Sequence, residues 1–221
     1  MVRYLIGVLA AAAALSAQSF SFSDDFSKYT EGADAAGKWV AAANWKVIGG
    51  RMIGDSPSDR VPLIVKGAPS GVEMKIEATI MPKEPLSDGW MAFGIIIYEN
   101  ATNFWQFALI GPDKEYKSKL KNFFEIKQMY GSWGYTNNIV PDTKDEINGF
   151  ANPWSYGTAY TLRMELTEKG IVGTARTADG TVICRSAYTF KNRNGAVSGK
   201  PGLTTAGIKG ECAMFRVKIV K

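Results

Sequence analysis

Along most of this chain apolar and polar residues alternate with a period of two. The segment "VEMKIEATIMP" (72–82) sets Val72, Met74 and Ile76 against Glu73, Lys75 and Glu77, which predicts a strand with one wet face. "GWMAFGIIIYE" (89–99) is apolar at both parities and predicts a central strand covered on both sides; "NFWQFALIG" (103–111) follows it after an "ENAT" turn. "WKVIGGRMIGD" reads as a hairpin at Gly49-Gly50. Over 160–190, Leu162, Met164 and Leu166 share a face, and Asp179-Gly180 supplies a turn that accepts positive φ, so three strands form a meander. "GLTTAGIKGECAMFRVKIVK" adds two closing strands, expected to pair near the N-terminal "SFSFSDDF". Neither a repeat nor a long amphipathic helix interrupts this pattern. It predicts an all-β fold, a two-sheet antiparallel sandwich, with Trp39, Trp45, Trp90 and Trp105 mainly in its core.

The N-terminus departs from the pattern. A short basic start ending at Arg3 leads into "YLIGVLAAAAALSA", an apolar run short for a membrane span and followed by small residues. Residues 1–19 are expected to be a secretory signal cut after Ser19 or after Ala17; the alternative is a membrane anchor. The remaining 20–221 is expected to be one β-sandwich domain, secreted or periplasmic, with no membrane span of its own. The formal net charge of +5 drops by one when Arg3 leaves, and the basic residues are scattered. Nucleic-acid binding needs a concentrated basic stripe and is not expected. The count of histidines is 0, which removes the commonest general base, the usual zinc ligand and every Ser-His or Cys-His pair. Cys184 and Cys212 each sit in a predicted strand, where they either bridge or lie buried as free thiols.

Between the two strand-rich halves, Gly131 to Thr158 has no regular periodicity, and long loops of this kind are often functional. The strand before it, "FFEIKQMY", sends Glu125 and Lys127 out on one side and ends at Tyr130. Trp133, Tyr135, Asn137, Asn138, Trp154 and Tyr156 follow. Sugars stack their apolar C–H faces on aromatic rings while amides and charges orient their hydroxyls, so this set can serve as a saccharide platform. The competing reading is local packing of the same rings.

Several motifs together carry a resemblance: the entry "DDF" (24–26), "WKVIGGRM" (45–52), "GIIIYENATNFWQFAL" (94–109), "YTLRMELTEKGIVGTARTADG" (160–180) and "CAMFRVKIV" (212–220). In this order they resemble the concanavalin A-like lectin/glucanase superfamily, in particular secreted laminin-G-like and 3-keto-disaccharide-hydrolase-type jelly-roll domains. The resemblance covers nearly all of 20–221. It implies two curved antiparallel sheets with a concave, carbohydrate-receiving face, and a poly- or oligosaccharide partner.

Laminarinase-type relatives place their catalytic acids on one strand as E-x-D-x-x-E. Here the corresponding run is Glu125-Ile126-Lys127-Gln128-Met129-Tyr130, so Glu125 is the one catalytic candidate and the triplet does not carry over. A paired carboxyl would have to come from Asp142, Asp145 or Glu146. Many such sandwiches tie their termini with calcium, for which Asp24 and Asp25 are the nearby acids; turn capping is the alternative role. No cofactor is required. The sequence thus points to a carbohydrate-binding or carbohydrate-processing jelly roll. The alternatives are a glycoside hydrolase or polysaccharide lyase with a histidine-free site, and a structural cell-surface domain that binds protein.

Overall fold

The computed structural model describes residues 19–71, 73–133, 139–191 and 198–220. The expected signal therefore lies almost wholly outside the described residues, as do Tyr135, Asn137 and Asn138. No helix among the described residues is long and apolar enough to cross a membrane.

Strands numbered along the chain fall into two antiparallel sheets. The smaller runs β4 (Val61–Ile64), β14 (Lys200–Ala206), β6 (Met91–Asn100), β7 (Asn103–Gly111), β8 (Phe123–Tyr130), β9 (Ser132–Trp133). The larger runs β10 (Ile139–Ile147), β13 (Val182–Phe190), β12 (Gly170–Thr177), β11 (Tyr160–Leu166), β5 (Glu73–Pro85), β15 (Ile208–Val220), β3 (Arg51–Ser56), β2 (Trp45–Ile48). The free half of β15 also pairs with β1 (Phe20–Asp24), Phe20 opposite Ile219 and Asp24 opposite Phe215. The predicted hairpin at Gly49-Gly50 forms, with φ of 59° and 68°, and Gly180 turns the β12–β13 hairpin at φ 89°.

The period-two pattern decides which side chains meet between the sheets. Met74, Ile76, Ala78 and Ile80 of β5, with Leu162, Met164 and Leu166 of β11, face Phe93, Ile95 and Ile97 of β6 and Trp105, Phe107 and Leu109 of β7 in one core. Each such side chain contributes about 1.5–3 kcal/mol by leaving water. On the outer side of the larger sheet Glu73, Lys75 and Glu77 stay wet; Lys75 pairs with Glu165 at 3.4 Å and Glu77 with Arg216 at 3.9 Å. Sheet separation is set partly by glycine. A Cβ on Gly210 of β15 would lie 2.5 Å from Phe93.

Two expectations need correction, and the cysteines take one of the two states open to them. Ile139–Ile147, expected as loop, is edge strand β10; it was hidden because its side chains are nearly all exposed and it carries Pro141 and a register shift between Asp142 and Ile147. Trp90 is not core but 49% exposed, whereas Trp39, Trp45 and Trp105 are fully buried. Cys184 and Cys212 are free thiols. Strands β12, β11 and β5 separate their strands, so they stand about 19 Å apart at about 4.8 Å per strand, against the ~7 Å limit for a disulfide.

Candidate binding cleft

The outer face of the smaller sheet is built from the parity that the core does not use. Cross-strand register aligns four rows across it: Ala206–Ala92–Ile110–Phe123, then Thr204–Gly94–Ala108–Glu125, then Gly202–Ile96–Gln106–Lys127, then Lys200–Tyr98–Phe104–Met129. Small residues (Ala92, Gly94, Ala108) fill the middle, so the floor lies close to the backbone. Over it opens a cleft of about 710 Å³, within the range of small-molecule sites.

Aromatic walls close the two ends. At one, Trp90 packs on Tyr116 at 5.6 Å and Phe150 stacks on Phe123 at 4.2 Å; Trp90 and Phe150 keep about half their surface exposed. At the other, Trp133, 44% exposed, sets its ring edge-on to Phe104 at 5.5 Å. The rows of Ile110 and Phe104 are six residues apart on β7, so the walls are separated by roughly 20 Å.

Polar groups converge between them. Glu125 and Lys127 leave β8 on the same side, as the alternation requires, and pair at 3.5 Å. Burial raises the Glu125 carboxyl above its usual range, and Lys127 opposes that shift. The guanidinium of Arg60, just before β4, sits 5.4 Å from the Phe104 ring and 5.2 Å from Trp133; the Lys127 ammonium is 5.6 Å from Trp133. Arg60 donates from Nη1 to Gln106 Oε1 and to Thr204 Oγ1 (3.2 Å), both buried.

The structure thus gathers Glu125, Lys127 and Trp133 in one cleft and takes other expected residues elsewhere. Trp154 is a core residue, 1% exposed, with Nε1–H donating to the carbonyls of Ile110 (3.0 Å) and Phe123 (3.1 Å); its ring has no face to offer a sugar. Tyr156 packs edge-on against Trp154 at 5.0 Å and points its hydroxyl at Met91 Sδ, outside the cleft lining. Alternation turns Tyr130 away from the face that carries Lys127 and Met129. Asp142, Asp145 and Glu146 lie along β10 on the other sheet and do not line the cleft.

Asp24 is held by donors from the protein itself. Its Oδ1 accepts from Phe26 N (3.2 Å) and Lys38 Nζ (3.4 Å), and its Oδ2 from Tyr29 Oη (2.6 Å) and Trp39 Nε1 (2.9 Å), so four donors already hold it. Asp25 accepts from the backbone and hydroxyl of Ser27 (3.1 and 2.8 Å), bonds that lower its pKa. No group of three metal-ligating side chains occurs among the described residues. The capping role is the one these distances describe.

Sequence reading missed Arg60, Phe104, Gln106, Trp90 and Phe150. Gln106 left a signal, since an amide inside the apolar run "NFWQFALIG" must find a partner when buried. Trp90 left another in its position straight after the Asp88-Gly89 turn.

Two antiparallel sheets in this strand order form a jelly-roll sandwich with the concanavalin A-like fold, the architecture that the sequence motifs suggested. Among solved structures, the chain is similar to a xylan β-1,4-xylosidase from Bacillus halodurans, with a TM-score of 0.62 and 13% identity over 89% of this chain and 38% of that one. It is similar to basic winged bean lectin (TM-score 0.58, 7% identity, 91% and 98% of the two chains) and to the carbohydrate-binding module CBM66 from Bacillus subtilis (0.52, 14%, 79% and 91%). The chain spans under two fifths of the length of the xylosidase. No family model matches the sequence, and no curated protein matches it.

Proposed function

We propose that this protein binds a poly- or oligosaccharide in the cleft on the outer face of its smaller sheet, as a recognition module rather than a hydrolase. One observation carries the reading: half-exposed aromatic walls about 20 Å apart enclose a floor of small residues with buried polar groups between them. Trp90 and Phe150 supply surfaces for sugar C–H faces, Trp133 closes the far end, and Glu125 with Lys127 orients hydroxyls. Carbohydrate binding in the names of several structural neighbours agrees with this. The expected export signal would bring the cleft to extracellular or periplasmic polysaccharide.

Hydrolysis fits the cleft less well. Canonical glycosidases set two carboxyls about 5–9.5 Å apart, and Glu125 is the only carboxylate among the described lining residues.

The test is native electrophoresis of the protein through gels impregnated with neutral or acidic polysaccharides. Trp90→Ala and Trp133→Ala should each weaken retardation at least about tenfold, since stacking is worth about 0.5–1.5 kcal/mol beyond the area it buries. Retardation unchanged in both variants would remove the cleft as the site. A cleared track lost in Glu125→Gln would convert the reading to a hydrolase.

A further inference from the structure

Arg60 is chemically unfinished. It lies largely out of water, and burial lowers its pKa to about 10, yet no carboxylate pairs with it among the described residues. Its partners are neutral oxygens, the amide of Gln106 and the hydroxyl of Thr204, and both are approached by Nη1. A guanidinium carries five N–H donors, and the three on Nε and Nη2 make no bond among the described residues. Nε and Nη2 form the side of the fork that presents two parallel N–H groups, the geometry that grips a carboxylate or sulfate bidentately.

The surroundings hold that edge in place. Gln106 and Thr204 are 2% and 0% exposed and fix the guanidinium, and the Phe104 and Trp133 rings flank it. Lys127 adds a second cation to the same end of the cleft, and Glu125, the one acid among the described lining residues, is already committed to Lys127. The local charge is thus positive and awaits an anion.

Building on the saccharide reading above, we propose that the ligand is an acidic saccharide whose carboxylate or sulfate seats on the Nε–Nη2 edge of Arg60. A neutral sugar could use the aromatic walls but would leave that charge uncompensated in a poorly solvated site.

The experiment compares calorimetric binding of polygalacturonate oligomers with that of the same oligomers after carboxyl reduction, and of dextran sulfate with dextran, at 0.15 M salt to screen surface charge. The wild type should prefer at least one acidic member of a pair by about tenfold or more, the size expected of a charge-assisted bond. Arg60→Gln should erase the preference and Arg60→Lys should keep only part of it. Lys218→Gln, which removes the same unit of charge from the other sheet, should keep all of it. The sulfate pair alone responding would name sulfate as the seat, and the uronate pair alone would name carboxylate.

Equal affinity within both pairs would overturn the proposal even with no variant in hand. So would a preference that survives Arg60→Gln, or one lost equally in Lys218→Gln. Neutral oligomers bound in a Trp90-dependent way without acidic preference would leave the saccharide reading standing and remove this one. No binding to any saccharide would remove both.

Discussion

Two tryptophans show how far side-chain environment, not residue type, decides a role. Trp154→Ala should cost about 3–5 kcal/mol of stability, because it empties the core and strands the carbonyls of Ile110 and Phe123. Trp90→Ala should cost under about 1 kcal/mol, since half its surface is already wet. Urea unfolding midpoints of both variants check the contrast; equal losses would place Trp90 in the core after all. Glu125 gives a second residue-scale prediction. Its carboxyl is raised by burial, so the folded state holds the proton to higher pH than the unfolded chain does. Relative to Glu125→Gln, the wild type should therefore lose stability as pH rises from about 4, the unfolded carboxyl range, through the raised folded value. Midpoints at pH 4 and pH 7 measure it, and a difference of the opposite sign would mean that Lys127 outweighs desolvation.

Strands were readable where one face is wet and the other dry. Met74, Ile76 and Ile80 alternate with Lys75, Glu77 and Thr79, and that pattern alone places β5. It fails for β10, whose edge position exposes both faces and leaves no period to detect. The site was legible only where it lies on a well-patterned strand: Glu125 and Lys127 were found, while Arg60 arrives from the turn before β4 and meets Gln106 across 46 residues. Long-range pairing of that kind leaves no local trace. Two further outcomes belong at this scale. Gly210→Ala would push a methyl against Phe93, itself stacked on Trp45 at 6.1 Å, and should cost about 1–3 kcal/mol by urea denaturation. Cys184, its thiol pushed up to about 12, and Cys212, raised further by burial, should resist maleimide at pH 7 in the folded protein. Both should react once guanidinium unfolds the chain without reductant. Unfolded chains that still fail to label would reveal a disulfide.

At the scale of the molecule, the sandwich divides its surfaces. The larger sheet presents an outer face of ion pairs among Lys75, Glu77, Glu165 and Arg216, a pattern suited to solvent. The smaller sheet spends its outer face on aromatics and buried polar groups, which a free-standing scaffold does not need. Fold resemblance at 7–14% identity carries architecture and leaves chemistry to the side chains.

The position of β15 sets when this fold can exist at all. Its thirteen residues bond to β5 along one edge and to β3 and β1 along the other, so three earlier strands wait for a partner far along the chain. Contacts so distant in sequence slow folding, and here they also postpone it. Until residues 208–220 leave the ribosome, β1, β3 and β5 lack their shared partner, and a chain truncated at Gly207 should show no cooperative unfolding transition. Without residues 208–220 the larger sheet has a missing rung at its middle, so loss of this one segment disconnects β5 from β3 rather than trimming an edge.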